Sequence, residues 1–123
     1  MVIIRLERTG QNVTRSNMTT TELTKIYIAG PMRGYEQLNY PAFYKAEKYL
    51  KSKKVWKPIN PARMDDEIYG SEESLDHVEA LKRDIDEIFE AEAMYMLRGW
   101  TDSKGALVEH ALALYLGLYI MYQ

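Results

Sequence analysis

Glu109 is the residue whose surroundings raise a chemical question. With His110 it forms the only polar pair after the first residue of a segment, Lys104 to Leu116, that is otherwise apolar. A carboxylate in such a segment loses water on folding, and its pKa rises unless a partner compensates. Six residues upstream, Ser103 stands at a helix N-cap position, and Gly105 follows where backbone can come close to a ligand. Helix N-termini attract anions, phosphate among them. An anion site and a buried carboxylate would then lie about two turns apart, ~9 Å along the axis. That separation suits a nucleotide with its phosphate at one end and its sugar at the other. The same residues also fit a core helix that happens to carry one glutamate.

A second carboxylate converges on this place. Ser74 is a candidate cap for a helix whose apolar stripe is Leu75, Val78, Leu81, Ile85, Ile88 and Phe89. Asp84 borders that stripe, whereas Asp86, Glu87 and Glu90 point outward. If the helix packs antiparallel to the next strand, Ala93–Leu97, Asp84 sits about 13 Å up the helix and the strand climbs about 13–16 Å. Asp84 then reaches the carboxyl edge of the sheet, where Arg33 and Ser103 are also expected. Its alternative is a solvated aspartate or an ion pair with Lys82 or Arg83.

The elements that position these residues follow from periodicity. Thr24–Ala29 reads as a strand with Ile26, Tyr27 and Ile28 as its apolar run, ending in the loop Gly30-Pro31-Met32-Arg33-Gly34. That loop is neither GxGxxG nor a Walker loop, so it carries no dinucleotide fingerprint. Arg33 could clamp a phosphate through its planar fork or remain a solvated loop arginine. A helix begins near Asn39-Tyr40-Pro41 and runs to about Ser52, with Phe43, Ala46, Tyr49 and Leu50 inward. Val55-Trp56 reads as a short strand ended by Pro58, Asn60 and Pro61, and 58–72 as an irregular section able to line or cover a site. Trp100, in the loop after the third strand, could stack on a base or plug a neighbouring surface. Gly117 stops the last helix, and Leu118–Tyr122 is a final strand.

Alternating strands and helices predict an α/β fold, a three-layer sandwich around a small parallel sheet of four or five strands, Rossmann- or flavodoxin-like, with ligands at its carboxyl edge. Residues 24–123 form that domain. Residues 1–23 read as an N-terminal extension, with Val2–Leu6 a short strand, much of 8–22 loop or poorly ordered, and Met18 a candidate internal start.

Composition narrows the function. The 123 residues are 46% hydrophobic and 28% charged, with a net charge of −2. That balance offers no electrostatic reason to bind polymeric nucleic acid. Absent cysteines and two histidines exclude thiolate and histidine-rich metal sites. With no apolar run of spanning length and no signal-like N-terminus, no membrane association is expected and a cytoplasmic location is.

The run Ile26-Tyr27-Ile28-Ala29-Gly30-Pro31-Met32-Arg33-Gly34, then Arg83-Asp84, then Ser103-Lys104-Gly105 with Glu109, resembles the nucleoside 2-deoxyribosyltransferase-like superfamily. The nearest pattern is that of its 2′-deoxynucleoside 5′-phosphate N-hydrolases and nucleotide N-glycosidases, and of small bacteriophage and prophage members. The resemblance covers roughly residues 24–122. It implies that Glu109 is the nucleophile attacking the anomeric carbon, that Asp84 acts as acid/base or holds the sugar, and that Tyr27 positions the glutamate or ribose. It further implies phosphate contacts from Arg33 and Ser103, close approach at Gly105, and substrate contacts along Gly30, Met32 and Gly34. No cofactor and no metal are implied. The expected ligand is a small-molecule nucleotide or nucleoside, and the expected assembly a homodimer or homotetramer. Two departures stand out. Pro31 replaces a small hydroxyl residue, and the chain stops at Gln123, so a C-terminal segment by which relatives complete a neighbour's pocket is expected to be missing.

The chemistry agrees with the residues. N-glycosidic cleavage passes through an oxocarbenium-like state that a carboxylate stabilises or traps, while a second acid serves the leaving nitrogen. The expectation is therefore cleavage of a (deoxy)nucleoside 5′-monophosphate. A deoxyribosyltransferase and a non-catalytic nucleotide sensor or sponge are the alternatives.

Overall fold

The computed structural model describes residues 22–123, preceded by two short strands, β1 (Arg5–Leu6) and β2 (Asn12–Val13). These pair antiparallel, Arg5 opposite Val13 and Leu6 opposite Asn12. Only the end of the strand expected at Val2–Leu6 is thus described, and β2 falls within the stretch expected to be loop. The rest of the N-terminal expectation lies outside the described residues.

From Thr24 the chain alternates between strand and helix. The elements are β3 (Thr24–Ala29), α1 (Tyr40–Ser52), β4 (Trp56–Ile59), α2 (Pro61–Tyr69), α3 (His77–Glu90), β5 (Ala93–Met96), α4 (Lys104–Leu116) and β6 (Tyr119–Tyr122). The last four strands form one sheet in the order β4-β3-β5-β6, parallel throughout. Strand order reverses between β3 and β5, and the crevice at such a point, outside the carboxyl ends, is where open α/β sheets bind ligands.

Alternation along β3 and β5 builds the layers. Ile26, Ile28 and Tyr95 face α1 and α2, meeting Phe43, Ala46, Leu50 and Ala62. Tyr27, Ala29, Met94 and Met96 face the other way, toward Ile88 of α3 and Ala113 of α4. Both faces being covered explains why these strands are apolar without interruption. The expected three-layer α/β sandwich is the observed one, with four strands in its sheet.

Three local expectations are corrected. The second strand is Trp56–Ile59 and contains Pro58 instead of ending before it. Pro58 pairs with Ile26 from the sheet's edge, where a missing N–H leaves no ladder bond unmade on the open side. Residues 61–69 of the section expected to be irregular form α2. The Asn60 side chain caps it by accepting from Ala62 N (2.9 Å) and Arg63 N (3.4 Å), Pro61 opens it, and Gly70 at φ 75° ends it. The cap of α3 is Asp76 and not Ser74, its carboxylate accepting from Val78 N and Glu79 N at 3.1 Å each.

The passage from the Gly30 loop into α1 is strained. Gln37, Leu38 and Asn39 have φ of 54°, 52° and 60°, three successive left-handed residues without a glycine. Left-handed backbone costs roughly 1–2 kcal/mol per such residue. Leu38 offsets this by burial against Leu75 and Ala80, and Asn39 Nδ2 donates to the Pro31 carbonyl at 2.9 Å.

Replacing Asp76 by Ala should lower the unfolding free energy by about 1 kcal/mol, the usual value of an N-cap. Ser74→Ala should change it by a few tenths at most, and urea denaturation of the two variants checks the assignment.

Candidate active site

Tyr27 occupies the middle of the central strand on the face covered by α3 and α4, and its side chain is fully buried. Its hydroxyl donates to Glu109 Oε2 at 2.5 Å. Glu109 comes from the second turn of α4, whose inward line is Ala106, Glu109 and Ala113. Ser103 caps that helix, its Oγ accepting from Ala106 N at 3.2 Å, and Gly117 at φ 72° closes it. The helix begins and ends where the serine and glycine predicted.

Asp84 arrives from α3, where the buried residues are Ala80, Asp84 and Ile88. It therefore lies in the inward line of the helix and not at the border of an apolar stripe. Val78 and Phe89, assigned to that stripe, are exposed. A third carboxylate stands beside it. Asp65 of α2 is 2% exposed and takes a short, charge-assisted hydrogen bond from Arg83, whose same nitrogen lies 3.4 Å from Asp84 Oδ1. Asp65 escaped the sequence reading because its helix did. The Asn60-Pro61 pair, a cap followed by a first-turn proline, was the available signal.

These groups form the floor of a cavity of about 540 Å³. Of the residues singled out by the sequence, Tyr27, Gly30, Met32, Arg33, Asp84, Ser103, Gly105 and Glu109 line it. Gly34 and Trp100 do not. Gly34 turns the loop at φ 83°. Trp100 packs on His110, ring centres 4.2 Å apart, and lies 6.1 Å from the Tyr122 ring. Tyr35, Phe43, Asp65, His77 and Lys104 line the cavity as well.

Two glycines at the cavity differ in why they are small. A Cβ on Gly30 would stand 2.7 Å from Leu97 Cβ, so packing against the end of β5 accounts for it. A Cβ on Gly105 would meet nothing within 4 Å. Gly105 also lacks the left-handed backbone of Gly34, Gly70, Gly99 and Gly117, and a helical glycine is destabilising by roughly 0.5–1 kcal/mol relative to alanine.

The cavity is electrically divided. Its floor carries Asp65, Asp84 and Glu109, and its rim carries Arg33, Lys104 and the N-terminal amides of α4, with Asp102 as the one rim carboxylate. Burial, then the charge of Asp84, raises Glu109 to about 8, and burial, then the charge of Asp65, raises Asp84 to about 7. Burial and the neighbouring Glu109 charge also hold the Tyr27 phenol well above its usual range, so it remains a donor. The two proton losses belong to the pair, because ionising one carboxyl opposes ionising the other. Of the two carboxyls Asp84 ionises first and Glu109 later, and the Tyr27 hydroxyl favours the charged form of both. Such an arrangement brings together two carboxyl groups that exchange protons near neutral pH, as a nucleophile paired with an acid requires. Among the described residues no group of three or more His, Cys, Asp or Glu side chains is arranged to hold a metal ion. No described helix is long and apolar enough to cross a membrane.

A raised carboxyl pKa has a defined stability consequence. The folded state holds Glu109 protonated where the unfolded chain has lost that proton, so the stability it allows is full below about pH 4 and declines as pH rises toward 8. Glu109→Gln should therefore leave the thermal midpoint near wild type at pH 4 and raise it at pH 9, where the gain in stability is roughly 5 kcal/mol. Calorimetry across that range tests the burial, and a variant no more stable than wild type at pH 9 would contradict it.

Residues 24–122 match the family described as a domain of unknown function, DUF4406. Among curated proteins none matches this chain. Among solved structures, a 2-desoxiribosyltransferase from Leishmania mexicana superposes with a TM-score of 0.59 at 20% identity, over 80% of this chain and 63% of that one. The chain thus spans less than two thirds of that protein, and the likeness lies in the fold. Built on the nucleoside 2-deoxyribosyltransferase-like fold, the chain belongs to the DUF4406 family.

Proposed function

We propose that the protein cleaves the N-glycosidic bond of a (deoxy)nucleoside 5′-monophosphate. The observation that carries this reading is the buried Tyr27–Glu109 hydrogen bond on the floor of a cavity shared with Asp84. A nucleotide has both features that the divided cavity suits, a cationic reacting centre in the transition state and an anionic phosphate. The phosphate would sit at the rim, against Arg33, Ser103 and the first turn of α4, where Gly105 leaves room that the protein does not fill.

In the first step Glu109 attacks the anomeric carbon as the bond to the base nitrogen breaks, and Asp84 gives its proton to that nitrogen. Tyr27 holds the attacking carboxylate in place. In the second step water adds to the same carbon, its proton passes to Asp84, and the bond to Glu109 breaks. The products are free base and sugar phosphate. Handing the sugar to a second base instead of water would make the protein a deoxyribosyltransferase, the activity for which the Leishmania protein is named. The phosphate-suited rim favours hydrolysis of a nucleotide.

The protein should also be a homodimer or homotetramer. Leu107, Val108, Leu114 and Tyr115 expose a continuous apolar face on α4, Leu114 at 60% and Tyr115 at 87%. Light scattering at micromolar concentration should give at least twice the chain mass, and a monomer would contradict this.

Incubation with a panel of nucleoside monophosphates and nucleosides, followed by chromatography for free base, tests the activity. Release from at least one monophosphate is expected, falling to background with Glu109→Ala and by about 10²–10⁴-fold with Asp84→Asn at pH 7. Dependence on an added acceptor base would establish the transferase. Tight binding without cleavage would establish a sensor or sponge.

A further inference from the structure

Arg83 bridges two carboxylates unevenly, with a short ion pair to Asp65 and a longer one to Asp84, its neighbour in sequence. Adjacent residues on a helix do not share a face. Asp84 points into the sheet-facing line of α3, and the Arg83 head group crosses to α2, where Asp65 accepts its short hydrogen bond. The contact from the same nitrogen to Asp84 is 3.4 Å, at the limit of a hydrogen bond. The guanidinium carbon lies 5.9 Å from the centre of the Tyr69 ring, also on α2. Asp65 and Asp84 both line the cavity, whereas Arg83 stands behind them.

We propose that Asp65 is a positioning residue that draws the Arg83 guanidinium toward α2 and keeps its contact with Asp84 long, so that Asp84 is left able to serve as the acid. The proposal rests on the glycosidase reading for its purpose, since that reaction needs a proton for the leaving base. The groups facing Asp84 are the Tyr27 hydroxyl from β3, Asp65 from α2, Arg83 on its own helix and Glu109 from α4, with His77 acting on Asp65 from the start of α3. Among them Arg83 is the one fixed cation. Freed from Asp65, it would close its 3.4 Å contact with Asp84 into a tight pair and turn the acid into a carboxylate. Asp65 opposes that outcome twice, by occupying the guanidinium and by placing its own negative charge nearby, which also raises Asp84. It lies on α2, and the residues it serves lie on α3.

Carboxyl-carbon NMR titration of the intact protein tests this without any substrate. Asp84 should titrate near 7 in the wild type and at least about one pH unit lower in Asp65→Asn, the direction expected of an aspartate beside a freed arginine. An unchanged or higher midpoint would overturn the proposal. Removing the released cation as well, in Asp65→Asn with Arg83→Gln, should return the midpoint to within about half a unit of wild type. A midpoint as low as in the single variant would overturn it too. The wild type gives a reading that does not depend on the variants folding. At pH 5.5, where Asp84 is neutral, the Arg83 guanidinium nitrogens should still show hindered rotation because Asp65 holds them, and free rotation there would count against the proposal. With a cleaved nucleotide in hand, Asp65→Asn should lower kcat at pH 7 about tenfold and leave KM within about twofold, as loss of a transition-state proton does. A raised KM at unchanged kcat would overturn it. Failure of every nucleotide to react would sink the glycosidase reading alone, and the titrations would still decide where Arg83 is held.

Discussion

A hydroxyl on the central strand and a carboxyl on the last helix meet where water has been removed, and the architecture of the site depends on that meeting. Tyr27 and Glu109 are 82 residues apart in the chain, yet their side chains are joined at 2.5 Å. The bond requires β3 to lie at the middle of the sheet, with Tyr27 on the α4 side, and α4 to present its second turn to the carboxyl edge. A one-residue slip of β3 would turn Tyr27 to the opposite layer. Both faces of the strand are buried, so side-chain shape opposes that slip: Ile26 and Ile28 fill the α1 side, and Tyr27 and Ala29 the α4 side.

Around that bond the protein concentrates charge that burial resists. Three carboxylates share a floor with one arginine behind them, while cations and helix amides gather at the rim. Isolated ions in such a place would be expensive, and the protein's solution is to keep protons on the pair and to hand the arginine to a carboxylate outside it. The result is a polar gradient across the cavity, with carboxyls gathered inside and the cations, Arg33 and Lys104, at the mouth beside Asp102.

Much of this was legible because local signals and tertiary demands agree. Ser103 and Gly117 bound α4 where a cap and a left-handed stop should, and the polar exception within the helix, Glu109, is the group the fold buries. Convergence of Arg33, Asp84 and Ser103 followed from counting rises along a helix and a strand. What was missed had conflicting signals. Pro58, Asn60 and Pro61 read as breakers, but an edge strand tolerates the first and a helix start uses the other two, so α2 and Asp65 stayed hidden. On α3 the apolar residues trace a stripe that the tertiary structure does not follow. Its buried line runs through Ala80, Asp84 and Ile88, which leaves Val78 exposed at the cavity and Phe89 exposed at the far end of the helix. Trp100, attractive as a stacking platform, finds His110 and Tyr122 instead.

The left-handed turn at Gln37–Asn39 gives the cavity wall an unusual mechanical character. A loop that carries Met32, Arg33 and Tyr35 would ordinarily be the pliable part of such a domain. Here its far end is clamped by Leu38 in an apolar niche and by Asn39 on the Pro31 carbonyl, in a backbone state that tolerates little drift. Its length is thereby quantised. Adding or deleting one residue between Tyr35 and Tyr40 would unseat Leu38 and let the whole wall relax. Remodelling what the pocket accepts is thus a matter of exchanging side chains on a stiff frame, or of replacing the frame entire.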